Sequence, residues 1–184
     1  VLGIAGAPGA GKSTLARRVV TGVEAALGVG TAVQVPMDGF HLANAALDAL
    51  GRHDRKGAID TFDGDGYVAL VRRLSSNRDA VVWAPDFDRR VDEPVAGSIA
   101  VPQRTRLVVS EGNYLLDSGP GWGDVRDLLD ELWFVDTPEP LRERRLLEGH
   151  VAAGRTQGGA PGFLGAREGS YGGGGRGGGW RNAP

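Results

Sequence analysis

The amino-acid sequence predicts an α/β fold in which a parallel sheet is flanked by helices. Two observations support this prediction. Short apolar segments alternate with helix-like segments along most of the chain, and the first apolar segment runs directly into a glycine-rich turn followed by a helix. In parallel sheets of this kind, ligands bind beyond the carboxyl ends of the strands. We therefore look for functional side chains where predicted strands end.

The first strand and the first helix are predicted over residues 1–5 and 12–27. The first segment is apolar, as expected for a buried strand. In the second, apolar side chains recur every four residues, at Leu15, Val19, Val23 and Leu27. Gly28 follows and is a typical helix stop.

The later elements are shorter. A second strand is predicted just before Pro36, and the predicted strands together occupy residues 31–35, 80–83, 107–109 and 132–135. Helices are predicted at residues 66–74, 125–129 and 138–151. Thr137 is the expected N-cap of the last helix, and Pro138 occupies its first turn. Strands that alternate with helices in this way favour a parallel sheet with helices on both faces.

Composition limits the function. The 184 residues, 41% of them hydrophobic, suffice for one domain with a proper core. A formal charge of −2 supplies no global basic field, so we expect neither nucleic acid nor a membrane as a partner. No apolar stretch in the sequence approaches the ~20 residues of a membrane span. Cysteine is absent, which fits a reducing compartment, and we expect a cytoplasmic protein.

The two ends of the chain differ from its middle. Val1 already lies inside a predicted strand, so we expect a fragment that lacks its initiator Met. Of the 31 glycines, 13 fall within residues 154–184, and such a segment buries too little apolar surface to offset its ordering entropy. We therefore expect an ordered domain over residues 1–156 and a disordered tail over residues 157–184.

Residues 6–14 match the phosphate-loop pattern G-x-x-x-x-G-K-[ST] and stand between the first strand and the first helix. Glycines allow a tight curl in which successive backbone N–H groups converge on phosphate oxygens. The N-terminus of the following helix adds partial positive charge. The pattern predicts binding of a nucleoside triphosphate by Gly6, Gly9, Ala10, Gly11, Lys12, Ser13 and Thr14.

Two side chains of this pattern have separate expected roles. Lys12 reaches toward the β- and γ-phosphates of ATP, and the hydroxyl of Ser13 holds Mg²⁺. Kinases, GTPases, motor ATPases and transporters all use such a loop. The residues at the ends of the other strands must distinguish among these classes.

Asp38 follows the second predicted strand almost directly, in the segment Met-Asp-Gly-Phe-His. An acid at this place faces the γ-phosphate, where it can accept a proton from an acceptor hydroxyl or hold a water bound to Mg²⁺. The alternative is an Asp that serves a turn or caps a helix. Beside a phosphate loop we favour the catalytic role.

Glu111 ends the apolar run Leu-Val-Val-Ser-Glu, which resembles a Walker-B element. In that element a buried strand ends on a carboxylate that approaches Mg²⁺ directly or through water. A capping role is again the alternative. We expect Glu111 to be a metal-binding residue.

Polar and aromatic residues cluster between these motifs and suit a small polyhydroxylated or anionic acceptor. Any one of them is more often a solvated loop residue. The histidines show no metal-ligand spacing, so we expect no zinc site. The candidate acceptor-binding residues are His41, Arg52, Asp63, Tyr67 and Arg89.

Arginines crowd the last predicted helix and the residues just after it. Arginines on a mobile helix can close over the phosphates and offset negative charge in the transition state, so Arg145 is a candidate catalytic residue. A solvated helix face is an equally good interpretation, with Glu143 and Glu148 paired to neighbouring arginines. The sequence leaves both open.

Five motifs in this order resemble the phosphoribulokinase/uridine kinase family, and most closely its bacterial members described as nucleoside/nucleotide kinases. They are the phosphate loop, Met-Asp-Gly-Phe-His, Asp-Thr-Phe-Asp, Asp-Phe-Asp-Arg and Glu-Gly-Asn-Tyr-Leu-Leu. The resemblance covers about residues 1–156. It implies a P-loop kinase fold with a helical lid around residues 142–155, and phosphorylation of a small-molecule hydroxyl by ATP and Mg²⁺. It also implies Asp38 as catalytic base and Glu111 near the metal.

The chain departs from this family after the predicted lid. Relatives continue with another helix and strand, whereas here residues 157–184 are rich in Gly, Arg, Ala, Pro and Trp. Our hypothesis is that this segment is an out-of-frame translation of GC-rich DNA, and the alternatives are a natural flexible tail or an Arg-Gly segment that binds RNA. A nucleotide-binding but inactive fragment is therefore one alternative to a kinase. A P-loop hydrolysing switch is another, although the sequence contains no Asn-Lys-x-Asp-type guanine-binding motif. The sequence does not determine the oligomeric state, and a homodimer is compatible with it.

Overall fold

The computed structural model describes residues 1–152, with side chains through residue 148. Arg155 and the predicted tail, residues 157–184, lie outside the described residues. In chain order the strands and helices are β1 (Leu2–Ala5), α1 (Lys12–Leu27), β2 (Ala32–Pro36), α2 (Asn44–Ala49), α3 (Gly64–Ser76), β3 (Val81–Asp88), β4 (Glu93–Pro102), β5 (Leu107–Gly112), α4 (Val125–Leu128), β6 (Glu131–Phe134) and α5 (Glu139–Ala152). Short 3-10 turns lie at Met37–Phe40, His53–Arg55 and Ile59–Thr61.

Four strands form the predicted parallel sheet, in the spatial order β2-β5-β1-β6. Strand β5 lies between β2 and β1, so that Glu111 on β5 is level with Pro36 on one side and Ile4 on the other. All three strands point the same way, and their carboxyl ends meet at one edge of the sheet. The α/β prediction is confirmed.

Helices cover both faces of this sheet because successive side chains of a strand point to opposite sides. On one face Ile4 and Val109 pack against Ala16 of α1, and all three are fully buried. On the other face Ala5 belongs to a cluster that α3 and α4 complete, with Tyr67 and Val125 fully buried. Full burial of a side chain the size of Ile4 contributes about 1.5–3 kcal/mol.

The predicted strand at residues 80–83 does not join the parallel sheet. It is the first half of β3, which pairs antiparallel with β4 in a separate two-stranded hairpin. The sequence analysis missed β4, since half of that strand is exposed and it carries no apolar run. Pro85 lies where the register shifts between Ala84 and Asp86, a place that suits a residue without an N–H donor.

The hairpin is held by its inward side chains. Val82, Ala84 and Val101 are buried against Val35 of β2 and Leu70 of α3. This contact seats the hairpin beside the carboxyl end of β2. None of the helices described in residues 1–152 is long and apolar enough to cross a membrane.

The predicted helices differ in how well their bounds agree with the structure. Helix α1 runs over residues 12–27 as expected, and α3 extends the expected helix by two residues at each end. Helix α2 and the 3-10 turns were not predicted, because elements of three to six residues are too short to display a periodic pattern.

Candidate active site

The loop between β1 and α1 has the backbone that a phosphate loop requires. Gly6, Gly9 and Gly11 have φ angles of 150°, 76° and 100°. A Cβ at Gly9 would lie 2.7 Å from the carbonyl oxygen of Arg142, and one at Gly6 would lie 2.6 Å from that of Val135. Glycine is therefore required at both positions by conformation and by space.

Helix α1 begins immediately after this loop, and its first turn contains no acidic residue. Its N–H groups and partial positive charge are therefore not offset by a carboxylate on the helix itself. Lys12 is buried and its Nζ donates a hydrogen bond to the carbonyl of Ala7 at 3.1 Å. Thr14 is exposed, and its hydroxyl accepts a hydrogen bond from Arg17 at 3.4 Å.

Glu111 lies near the carboxyl end of β5 with only 6% of its surface exposed. Burial raises the pKa of this carboxyl, and the negative charge of Asp38 raises it further. A hydrogen bond from Ser13 and the positive charges of Lys12 and Arg89 oppose this rise in pKa. The side chain of Gln34 also faces Glu111, with Nε2 3.4 Å from Oε1.

Asp38 lies in the 3-10 turn that follows β2, and 39% of its side chain is exposed. Its neighbours in this turn hold it in place. Met37 is fully buried in the core, and Gly39 approaches Pro85 so closely that a Cβ would lie 2.5 Å from the Pro85 carbonyl oxygen. The carboxylate of Asp38 therefore stands at a defined place where β2, β5 and the hairpin meet, 3.5 Å from Nη2 of Arg89.

The structure thus brings together Lys12, Ser13, Asp38 and Glu111 from three strand ends. The reason is topological. The phosphate loop follows β1, Asp38 follows β2, and Glu111 is on β5 between them. These strands are parallel neighbours, so their carboxyl ends place all four side chains at one edge of the sheet.

The donor set at this edge fits Mg²⁺. Within the described residues no group of three or more His, Cys, Asp or Glu side chains could hold a metal ion by itself. Mg²⁺ does not need such a group, since it keeps several waters and takes phosphate oxygens of its nucleotide. A hydroxyl at Ser13 and a buried carboxylate at Glu111, crowded by the charge of Asp38, are the oxygen ligands that this ion prefers.

His41 and Arg89 are the two predicted acceptor-binding residues that lie beside Asp38. The ring of His41 packs against Phe62 and Phe87, with centroids 4.0 and 4.7 Å apart. Its Nδ1 lies 2.8 Å from the backbone oxygen of Asp38. His41 therefore contacts the backbone of Asp38, whereas Arg89 contacts its carboxylate.

Three other predicted acceptor-binding residues have structural partners. Tyr67 is fully buried, and its hydroxyl bonds to Ser110 at 2.8 Å, an arrangement that favours a structural role over the predicted acceptor contact. Asp63 is the N-cap of α3 and accepts from the N–H of Gly66 at 2.8 Å. Arg52 donates to the backbone oxygen of Asp60 at 3.1 Å.

Two residues of this edge were missed by sequence reasoning, and a signal for both was present. Gln34 and Ser110 are polar residues inside otherwise apolar strands. A polar side chain in a buried strand must find a partner. Gln34 reaches Glu111, and Ser110 joins Tyr67 to the backbone of Val35.

Helix α5, the predicted lid, lies against the outside of the phosphate loop. Nη1 of Arg145 donates to the carbonyl oxygens of Gly9 and Ala10 at 3.4 and 3.3 Å. The hydroxyl of Thr137, expected to cap the helix, donates to the same Ala10 oxygen at 3.0 Å. Arg144 faces solvent and pairs with Glu148 at 3.8 Å. The Arg144–Glu148 pair agrees with a solvated helix face, whereas the closure of Arg145 over the phosphates stays a prediction.

Comparison with known proteins places this site in a family, although no protein-family model matches the chain. A Schizosaccharomyces pombe protein named provisionally as a uridine kinase is 33% identical over 158 residues, which are 84% of this chain and 67% of that protein. An ATP-dependent kinase-like protein of Aspergillus versicolor is 37% identical over 125 residues, 64% of this chain and 73% of its own length.

A solved structure agrees with these relatives. A crystal structure from Silicibacter sp. TM1040 superposes on this chain with a TM-score of 0.75 at 38% sequence identity. That protein is provisionally described as a fructose transport system kinase. The match covers 84% of this chain and 73% of the other. With the phosphate loop and the fold described above, these likenesses show that the chain belongs to the P-loop kinases of the uridine kinase type.

Proposed function

We propose that this chain transfers the γ-phosphoryl group of ATP to a hydroxyl of a small molecule. The observation that carries the proposal is the convergence of Lys12, Asp38 and Glu111 at one sheet edge. A phosphate loop alone is compatible with many activities. The half-exposed carboxylate of Asp38, close to that loop, is suited to the activation of an acceptor hydroxyl.

The chain's own groups account for ATP binding. The loop from Gly6 to Gly11 presents backbone N–H groups, and the N-terminus of α1 adds its partial charge. Lys12 stands at the start of that helix, where its ammonium can exchange the Ala7 carbonyl for phosphate oxygens. Arg145 supports the loop from its other side, through the Gly9 and Ala10 carbonyls.

Ser13 and Glu111 are the proposed ligands of Mg²⁺. When bound there, the ion offsets the negative charge of the phosphates and of the two neighbouring carboxylates. Burial and the charge of Asp38 both raise the pKa of the Glu111 carboxyl. A cation bound nearby opposes that rise, because it favours the ionised form of the carboxyl.

Asp38 is the proposed base. It takes the proton of the acceptor hydroxyl as the hydroxyl oxygen forms a bond to the γ-phosphorus. The bond from that phosphorus to the β–γ bridging oxygen breaks at the same time, and ADP leaves with the electron pair. Lys12 stabilises the negative charge that develops on the phosphate oxygens.

Measurement of ADP release tests this proposal. The assay uses ATP and Mg²⁺ with uridine, fructose, pantothenate or ribulose 5-phosphate as acceptor, and compares wild type with Asp38→Asn. We expect one or more acceptors to stimulate ADP release, and Asp38→Asn to lower that stimulated rate by about 10²- to 10⁴-fold. Asp127→Asn is the matched control, since Asp127 is exposed on α4, which leads into the opposite end of β6.

Two outcomes contradict a kinase. ADP release that no acceptor stimulates, and that Asp38→Asn leaves unchanged, indicates a hydrolysing switch. Nucleotide binding without any ADP release indicates an inactive nucleotide-binding form. Binding is measured separately, by titration with a non-hydrolysable ATP analogue.

A further inference from the structure

Arg89 is held beside the proposed base at the tip of the β3–β4 hairpin. It follows the last residue of β3, and its Nη2 lies 3.5 Å from Oδ2 of Asp38. Yet 77% of the Arg89 side chain is exposed. An ion pair with one such solvated partner contributes little stability, so the guanidinium can leave Asp38 at small cost.

The backbone that carries Arg89 is much less free than its side chain. Both carboxylate oxygens of Glu93, at the start of β4, accept from the N–H of Asn44, at 3.1 and 3.0 Å. Lys56 pairs with Asp92 at 3.2 Å and stands 5.2 Å above the centre of the Phe87 ring. These contacts hold the hairpin tip against Asn44 and Lys56, which are themselves hydrogen-bonded to each other. The backbone at Arg89 is therefore held near Asp38, while its exposed guanidinium is able to turn away from that carboxylate.

Other arginines of this region form ion pairs with carboxylates that have no part in the proposed chemistry. Arg90 pairs with Asp88 at 2.7 Å, and this guanidinium lowers the pKa of the Asp88 carboxyl to about 2. Arg52 and Arg55 share Asp60. Among the described residues, Arg89 differs from these because its carboxylate partner is the proposed base itself.

We propose that the acceptor carries an anionic group, a phosphate or a carboxylate, and that Arg89 binds this group in exchange for Asp38. The inference rests on the kinase function proposed above and names its substrate class. An anionic acceptor must approach two carboxylates and a triphosphate, so it needs a cation at the mouth of the site. A neutral acceptor has no such requirement.

The exchange also prepares the base. While Arg89 faces Asp38, its guanidinium competes for the oxygen that has to accept the acceptor's proton. An acceptor anion draws the guanidinium away and leaves Oδ2 to the hydroxyl. Substrate binding and release of the base are then one event, and they depend on the charge of the acceptor.

Matched acceptor pairs test this inference. Glycerate with glycerol forms the carboxylate arm, and fructose 6-phosphate with fructose forms the phosphate arm. We expect the anionic member of at least one pair to be phosphorylated with the higher kcat/KM. Arg89→Gln should raise the KM for that acceptor by about 10- to 100-fold, the range for a lost hydrogen bond between charged groups, with kcat within a few-fold of wild type.

Two further variants make the readout specific. Arg89→Lys keeps the charge and should restore part of the affinity for the anionic acceptor. Arg90→Gln removes the neighbouring arginine, which is paired with Asp88, and should leave both KM and kcat unchanged.

Failure of this inference and failure of the kinase function are distinguishable. If the neutral members are phosphorylated as well as or better than the anionic members and Arg89→Gln has no effect on KM, the chain is a kinase but the inference is wrong. A fall in kcat with unchanged KM for both members of a pair also overturns it, because Arg89 then acts on the base or the phosphates. If no acceptor in these pairs or in the earlier panel stimulates ADP release, both proposals fail.

Discussion

The hydroxyl of Tyr67 donates a hydrogen bond to Oγ of Ser110 at 2.8 Å, inside the core and at the residue that precedes Glu111. The direction of this hydrogen bond follows from a second one, in which the Ser110 hydroxyl donates its only proton to the carbonyl oxygen of Val35 at 2.7 Å. This chain of bonds joins α3, β5 and β2. Ser110 precedes Glu111, and Val35 lies three residues before Asp38. These two hydrogen bonds therefore help to fix the backbone that carries both carboxylates.

Tyr67→Phe should lower stability and spare acceptor binding. The substitution leaves Oγ of Ser110 without its buried donor, which costs about 1–3 kcal/mol in the free energy of unfolding. Urea denaturation measures that change, and the acceptor KM should stay within about twofold of wild type because the side chain is buried. A large rise in KM with unchanged stability would instead support the acceptor contact expected from sequence.

Alkaline pH should weaken the fold through the same residue. Burial raises the pKa of Tyr67 above its ordinary value of about 10, so this group favours the folded state fully below pH 10 and progressively less as pH rises above it. The free energy of unfolding is measured for wild type and Tyr67→Phe between pH 8 and 11, a window set by that ordinary value of about 10. Wild type should lose more stability than the variant above about pH 10. Parallel curves over the whole range would contradict this.

Gly39→Ala should disturb the site through the hairpin. The new Cβ would lie 2.5 Å from the backbone oxygen of Pro85, and backbone cannot yield as a flexible side chain does. We expect a loss of about 1–3 kcal/mol in stability and lower kcat/KM, since the hairpin carrying Arg89 must shift. Gly22→Ala is the control, because nothing lies within 4 Å of a Cβ there and the helical position should gain up to about 1 kcal/mol. Equal effects of the two substitutions would show that the Pro85 contact is unimportant.

Arg145→Gln should weaken ATP binding. Its guanidinium donates to the Gly9 and Ala10 carbonyls at 3.4 and 3.3 Å, and these bonds help to hold the loop in the shape that meets phosphate. We expect the Kd for an ATP analogue to rise about 3- to 10-fold, as for loss of a net 0.5–1.5 kcal/mol hydrogen bond. The neighbouring variant Arg144→Gln removes only an exposed pair with Glu148 and should leave this Kd unchanged. Isothermal titration of both variants decides between a support role for Arg145 and a merely solvated helix face.

Much of this site was predictable because its signals are local. The loop pattern, the bounds of α1 and the carboxylates at Asp38 and Glu111 all depend on residues close together in the sequence. Tyr67 and Asp63 show where local reading ends. Tyrosine and aspartate are as common in acceptor pockets as in cores and at helix starts, so residue type alone does not separate these roles. The burial of Tyr67 and the hydrogen bond from Gly66 to Asp63 favour the structural roles.

The β3–β4 hairpin was not predictable in the same way. Strand pairing depends on which distant segments pack together, and β3 leaves the parallel sheet because its inward side chains pack at the outer edge of β2 and against α3. That packing places Pro85 against Gly39, and Arg89 against Asp38.

By itself, then, the sequence determined the phosphate loop, the separate apolar strands and the two candidate acidic residues that follow or end them. Each depends on backbone conformation or hydrophobic pattern within a few neighbouring residues. Only the tertiary structure decided that Arg89 faces Asp38, that Arg145 contacts the loop from outside and that Tyr67 is hydrogen-bonded to Ser110 in the core. These are contacts between residues 43 to 136 positions apart in the chain, and they form only when the sheet, the hairpin and the last helix pack together.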